Sequence, residues 1–149
     1  LNNRMTDVAA AVGRVQLTRL AGWTAARRAN AAALDAGLAD APGVVTPHVP
    51  RGYTHVYHQY TIRLEGASAA ERDEVAKVLR EQWQVGTGVY YPIPNHRLSS
   101  LAPYAPGLDL PGTEKAAREC LSLPVHPSLS EADLERIVRA VGAAVTAGA

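Results

Sequence analysis

The chain has 149 residues, and its 15 Lys and Arg nearly balance its 14 Asp and Glu. That balance, with no basic run beyond Arg27-Arg28, gives no footing for a nucleic-acid surface or an acidic tail. Cys120 stands alone, which excludes a disulfide framework, speaks against a cysteine-based metal site and suits a reducing, cytosolic setting. Neither a signal peptide nor an apolar run long enough to cross a bilayer is found, and the length suits one domain with a real core.

Val8, Val12 and Val15 recur at helical spacing, followed by Leu20, Trp23, Leu34 and Leu38. They predict a helix from Asp7 to about Ala39, capped by Thr6 or Asp7. Gly13 and Gly22 weaken it, and a break or bend is expected between Thr18 and Gly22. Ala41-Pro42-Gly43 stops it. A short extended piece spans Val44 to Val49, and Arg51-Gly52 is a turn.

The clearest strand pattern runs from Val56 to Leu64. Val56, His58, Tyr60, Ile62 and Leu64 share one face; Tyr57, Gln59, Thr61 and Arg63 share the other. Ser68 and Glu71 form a capping box that opens a second helix, with Val75, Val78, Leu79 and Trp83 on one side. Val85 to Tyr91 is expected as another strand, with Gly86 and Gly88 marking a bulge or a close approach. Residues 92–111 are proline-rich and irregular, as functional loops often are. A short helix over Thr113 to Cys120, an extended Leu121-Ser122-Leu123-Pro124 and a last helix capped by Ser130 complete the chain. Leu134, Ile137, Val138, Val141 and Val145 form the stripe of that helix. The order of elements predicts an α+β layer, a small sheet covered by helices. The first helix exceeds what so small a sheet can cover, so part of it should pack on something outside this chain.

Two motif readings are set aside on geometry. His55 and His58 have a spacing that suggests a metal pair, but residues three apart on a strand face opposite sides, and no carboxylate or cysteine lies close in sequence. Gly86-Thr87-Gly88 lacks the third glycine and the opening helix of a dinucleotide fingerprint. No metal site is therefore expected, and His126, between Val125 and Pro127, belongs to a structural turn.

Four segments occur in a telling order: Leu1-Asn2-Asn3-Arg4-Met5-Thr6-Asp7, His58-Gln59-Tyr60-Thr61-Ile62-Arg63, residues 86–96 around Tyr90-Tyr91-Pro92, and Leu121-Ser122-Leu123-Pro124-Val125-His126-Pro127. Together, over nearly the whole chain, they resemble the C-terminal part of the DegT/DnrJ/StrS-type aminotransferases. These are pyridoxal-phosphate (PLP) enzymes of the aspartate aminotransferase fold, fold type I, most of which act on nucleotide-linked keto-sugars.

The resemblance implies a homodimer with shared active sites. Asn2 matches the asparagine that reaches the phosphate of the neighbouring subunit's PLP, and Arg4 the arginine of the same loop. Amide and guanidinium donors suit phosphate oxygens. Tyr90 and Tyr91 match the loop on the sugar side of the cleft, and His96 a histidine often found shortly after. Tyr90 stands where many members carry histidine; a phenol donates a hydrogen bond but is uncharged near neutral pH, so a different sugar is implied.

The family chemistry needs a lysine that bonds PLP. Neither Lys77 nor Lys115 lies in a matching context. Together with the start at Leu1, this leads us to expect the C-terminal piece of a larger enzyme, inactive alone, with residues 1–40 linking to an absent PLP domain and residues 41–149 forming the small domain. The expected reaction is transfer of an amino group, with glutamate as donor, to a nucleotide-linked keto-sugar. Two alternatives stay open: a PLP-dependent sugar dehydratase of the same fold, and a non-catalytic module that binds a partner through its first helix.

Overall fold

The computed structural model describes residues 4–147. Thr6 caps the first helix, its Oγ1 accepting from the Ala9 N–H at 3.2 Å. The helix, α1, runs unbroken over Asp7–Leu38, 32 residues. No break interrupts it between Thr18 and Gly22. A glycine costs a helix about 1 kcal/mol, but a sharp kink needs proline or a group inserted into the hydrogen-bond ladder. Thr18 merely donates its hydroxyl back to the Val15 carbonyl, at 2.8 Å.

Three antiparallel strands follow in the order β1 (Val44–Val45), β2 (Tyr60–Leu64), β3 (Cys120–Leu123). Only the second half of the strand expected over Val56–Leu64 pairs. Tyr57 sits at φ +46°, a left-handed conformation that no strand accommodates. Arg27 and Arg28 of α1 hold the carbonyls of residues 55, 57 and 58 instead. His55 and His58 are thus not on a strand at all, and among the described residues no group of three or more His, Cys, Asp or Glu is placed to hold a metal ion. The extended piece expected to Val49 pairs only at Val44 and Val45. Residues 85–91 contribute no strand either. They touch β3 at one bridge, Gly88 with Ser122, bonded both ways at 3.0 and 2.9 Å.

Helix α2 spans Ala69–Trp83 with both halves of the Ser68–Glu71 capping box formed, and α4 spans Glu131–Ala147. Between them α3 covers Pro111–Glu119, starting earlier than expected because proline is well placed in a first helical turn, and ending as Cys120 enters β3. Within residues 92–110 there are two short 3₁₀ turns, Asn95–Arg97 and Ala102–Tyr104.

The core lies on one face of the sheet. Tyr60 and Ile62 of β2 and Leu121 and Leu123 of β3 meet Leu34 and Leu38 of α1, Leu79 of α2 and Ile137 and Val141 of α4. Gly37 permits this closeness: a Cβ there would come within 2.5 Å of the Val138 side chain. Only the last part of α1 takes part, through Asn30, Ala31, Leu34 and Leu38. Met5, Val8, Val12, Val15, Leu17 and Leu20 are exposed, in accord with a helix longer than its sheet.

Candidate functional site

The opposite face of the sheet is polar. The register sets Thr61 beside Ser122 and Arg63 beside Cys120, so these side chains share the face that the core leaves free. Thr61 Oγ1 and Ser122 Oγ are hydrogen-bonded at 2.7 Å. Gln59, Thr61 and Ser122 form the floor of a cavity of about 630 Å³. Tyr90 and Tyr91, residues 94–96 and Thr113, Ala116 and Ala117 of α3 complete its wall. That volume suits a small organic ligand.

Three of the five expected site residues therefore meet here. Tyr90 and Tyr91 are exposed at the cavity, while His96 is buried. The Tyr90 ring lies back over Gly88, where an added Cβ would stand 3.0 Å from the ring. A side chain at position 88 would therefore make the ring give by a few tenths of an ångström. His96 Nε2 is 3.0 Å from Glu114 Oε1, and the same oxygen accepts from Arg97 Nε at 2.8 Å. These bonds, from Arg97 first and then from His96, hold the Glu114 carboxyl below its ordinary range. They also tie the turn over residues 95–97 to the first turn of α3.

The other two expected residues are elsewhere. Arg4 is exposed just ahead of α1 and does not line this cavity. Asn2 lies outside the described residues.

Candidate nucleophiles are quiet. Burial raises the Cys120 thiol, which is therefore protonated near neutrality. The Tyr60 phenol is raised by burial and by its 2.6 Å bond to Asp35. Lys77 pairs with Glu74 at 3.2 Å, and Lys115 lies 3.9 Å from the buried Glu119. Neither lysine lines the cavity.

Sequence reasoning missed the floor and the clamp. Gln59 and Thr61 could have been found from the polar half of the alternation that runs into β2, and Ser122 from its place between Leu121 and Leu123. Nothing local announced Glu114, whose partners are 17 and 18 residues away.

The sequence profile of the DegT/DnrJ/EryC1/StrS aminotransferase family matches residues 1–142. The chain belongs to that family. It is 42% identical over 144 residues to the "Pleiotropic regulatory protein" of Geobacillus stearothermophilus, covering 94% of this chain and 37% of that protein. It is 37% identical over 150 residues to a dTDP-3-amino-3,4,6-trideoxy-alpha-D-glucose transaminase of Micromonospora megalomicea, covering 97% of this chain and 38% of the relative. Among solved structures it resembles NtdA of Bacillus subtilis with bound cofactor PMP, with TM-score 0.85 and 26% identity over 98% of this chain and 34% of NtdA. This aminotransferase-family chain therefore spans somewhat over a third of the length of these relatives, and its fold is the α+β unit found within them.

Proposed function

We propose that this chain supplies the sugar-side wall of the active site of a PLP-dependent transaminase. The whole enzyme transfers an amino group from an amino-acid donor, glutamate, to a keto-sugar linked to a nucleotide. The observation that carries this reading is the cavity on the polar sheet face of a chain of this family, with two phenols at its edge. Tyr90 and Tyr91 donate hydrogen bonds to sugar hydroxyls or phosphate oxygens. His96, its Nε2 already engaged by Glu114, shapes the wall with its ring.

Bound PLP supplies the electron sink that such a transfer needs. The described residues do not form a complete site for it, because both lysines are paired with glutamates away from the cavity. In this reading residues 1–40 link to a large domain that carries the lysine, residues 41–149 form the small domain, and the 149-residue chain alone is inactive. Asn2 and Arg4 reach the PLP phosphate of the other subunit of a homodimer. Helix length supports an action at a distance: Asp7 and Arg27 are about 30 Å apart along α1, so Arg4 is remote from its own Tyr90. The exposed apolar side chains from Met5 to Leu20 fit coverage by that large domain or by the second subunit.

Tyr90→Phe in the full-length enzyme tests the assignment. It leaves the ring over Gly88 and removes one neutral hydrogen bond, worth about 0.5–1.5 kcal/mol. Turnover of the nucleotide-sugar half-reaction should fall by that amount, and the half-reaction with the amino donor should not change. Identical sugar kinetics in wild type and variant would remove Tyr90 from the site.

A further inference from the structure

Beside Tyr90 lies a second cavity of a different character, about 330 Å³ in volume. It shares Gln59, Gly88, Tyr90 and Ser122 with the first. Its remaining wall carries Arg27, His58 and His126 together with Thr87. Neither aspartate nor glutamate lines it, although the chain has almost as many acids as bases.

The backbones that bear these groups are anchored. Arg27 Nη1 donates to the Tyr57 carbonyl at 3.0 Å and to that of His58 at 3.4 Å, which ties residue 58 to α1. The buried Asn30 donates from Nδ2 to the His126 carbonyl at 2.9 Å. Both histidines are exposed and line the cavity, on backbone held in place by these bonds.

Arg27 is half-buried, and among the described residues no carboxylate pairs with it and no hydrogen bond engages its Nε or Nη2. A partly desolvated cation without a counter-charge is costly. A guanidinium with free edges matches the oxygens of a carboxylate or phosphate, and a protonated imidazole adds further donors. The Asp133 carboxylate, held low by Ser130 first and then by Arg136 and His126, is committed to Ser130, accepting from N at 3.0 Å and from Oγ at 2.6 Å.

We propose that Arg27, His58 and His126 form an oxyanion subsite behind Tyr90, which takes a carboxylate or phosphate group. The phenol of Tyr90 then stands between a mainly apolar chamber and a cationic one. The proposal stands on the residues of this chain and does not depend on the transaminase reading.

The test is a titration of the histidine ring signals of the full-length protein by NMR, at ionic strength held constant with chloride. One arm adds inorganic phosphate and the other glutarate. A bound anion favours the charged imidazole, so at a given pH the His58 and His126 ring signals should move toward the protonated form, a rise in protonation on adding the anion. His48, exposed and outside both cavities, is the control. A rise with phosphate alone, with glutarate alone or with both supports the subsite and names its source. Arg27→Gln should abolish the rise. Because that variant also loosens residues 57 and 58, His58→Gln is its companion: the Arg27 anchors persist, and His126 should still respond, with several-fold weaker binding. No rise in either arm, an equal rise at His48, or a full response in Arg27→Gln overturns the proposal. Turnover plays no part in the read-out, so failure of the transaminase reading would leave this result intact.

Discussion

The two faces of one small sheet are built for different ends. Tyr60, Ile62, Leu121 and Leu123 point into a core closed by three helices. Thr61 and Ser122, adjacent to them in sequence and set side by side by the same register, point into a cavity. Apolar burial scales with area and tolerates little loss of volume, whereas a polar pair contributes modestly and positions whatever it touches. The comparison teaches that residues one apart on β2 should differ in kind when altered: one face governs whether the chain folds, the other what it holds.

The largest effect should come from the core face. Ile62→Ala removes a fully buried side chain and should cost about 2–5 kcal/mol in urea unfolding. A loss below 1 kcal/mol would mean that the helices do not close on this face as described.

At the charged end of the open face, Glu119 accepts from Arg63 Nη1 at 2.6 Å and from the Gly66 N–H at 3.1 Å, where Gly66 turns at φ +79°. Burial alone would raise the Glu119 carboxyl, but those two bonds and the nearby Lys115 more than offset it and hold the group below its ordinary value. A carboxyl lowered in the folded state stabilises above its unfolded value of about 4.3, and that contribution fades as pH falls through the folded value. Glu119→Gln should therefore lose about 1.5–3 kcal/mol at neutral pH and show a flatter stability profile below about pH 4.3. Parallel acid profiles for the two proteins would exclude Glu119 as a source of the pH dependence.

The smallest effect is expected next to Ile62. Thr61→Val keeps the shape and removes the hydroxyl bonded to Ser122, at a cost of about 0.5–1.5 kcal/mol. Equal losses for Thr61→Val and Ile62→Ala would erase the distinction between the faces.

Much of this architecture was legible in the residues. The Ser68–Glu71 capping box, the helical spacing in α4 and the alternation from Tyr60 to Leu64 are local signals, and each formed where it was expected. Tyr90, Tyr91 and His96 lie within seven residues of one another and line one cavity, so their nearness is a local matter as well. What stayed hidden depends on distant partners. The alternation read from Val56 to Leu64 fails in its first half, where Arg27, some 30 residues away, binds the carbonyls of Tyr57 and His58, Arg28 binds that of His55 just before, and Tyr57 turns left-handed. Glu114 gave no sign of holding His96, because the turn that joins them is fixed only in three dimensions.

Gly88 carries a consequence for sequence variation. Its backbone does not need glycine's freedom; the ring of Tyr90 needs the space. Positions 88 and 90 therefore trade volume. A small residue at 90 leaves room for alanine or serine at 88, whereas a large aromatic at 90 that lies back in this way has to shift by a few tenths of an ångström to admit them. The pair forms a two-residue dial by which the wall between the chambers is thickened or thinned while the β3 bridge at Ser122 stays in place.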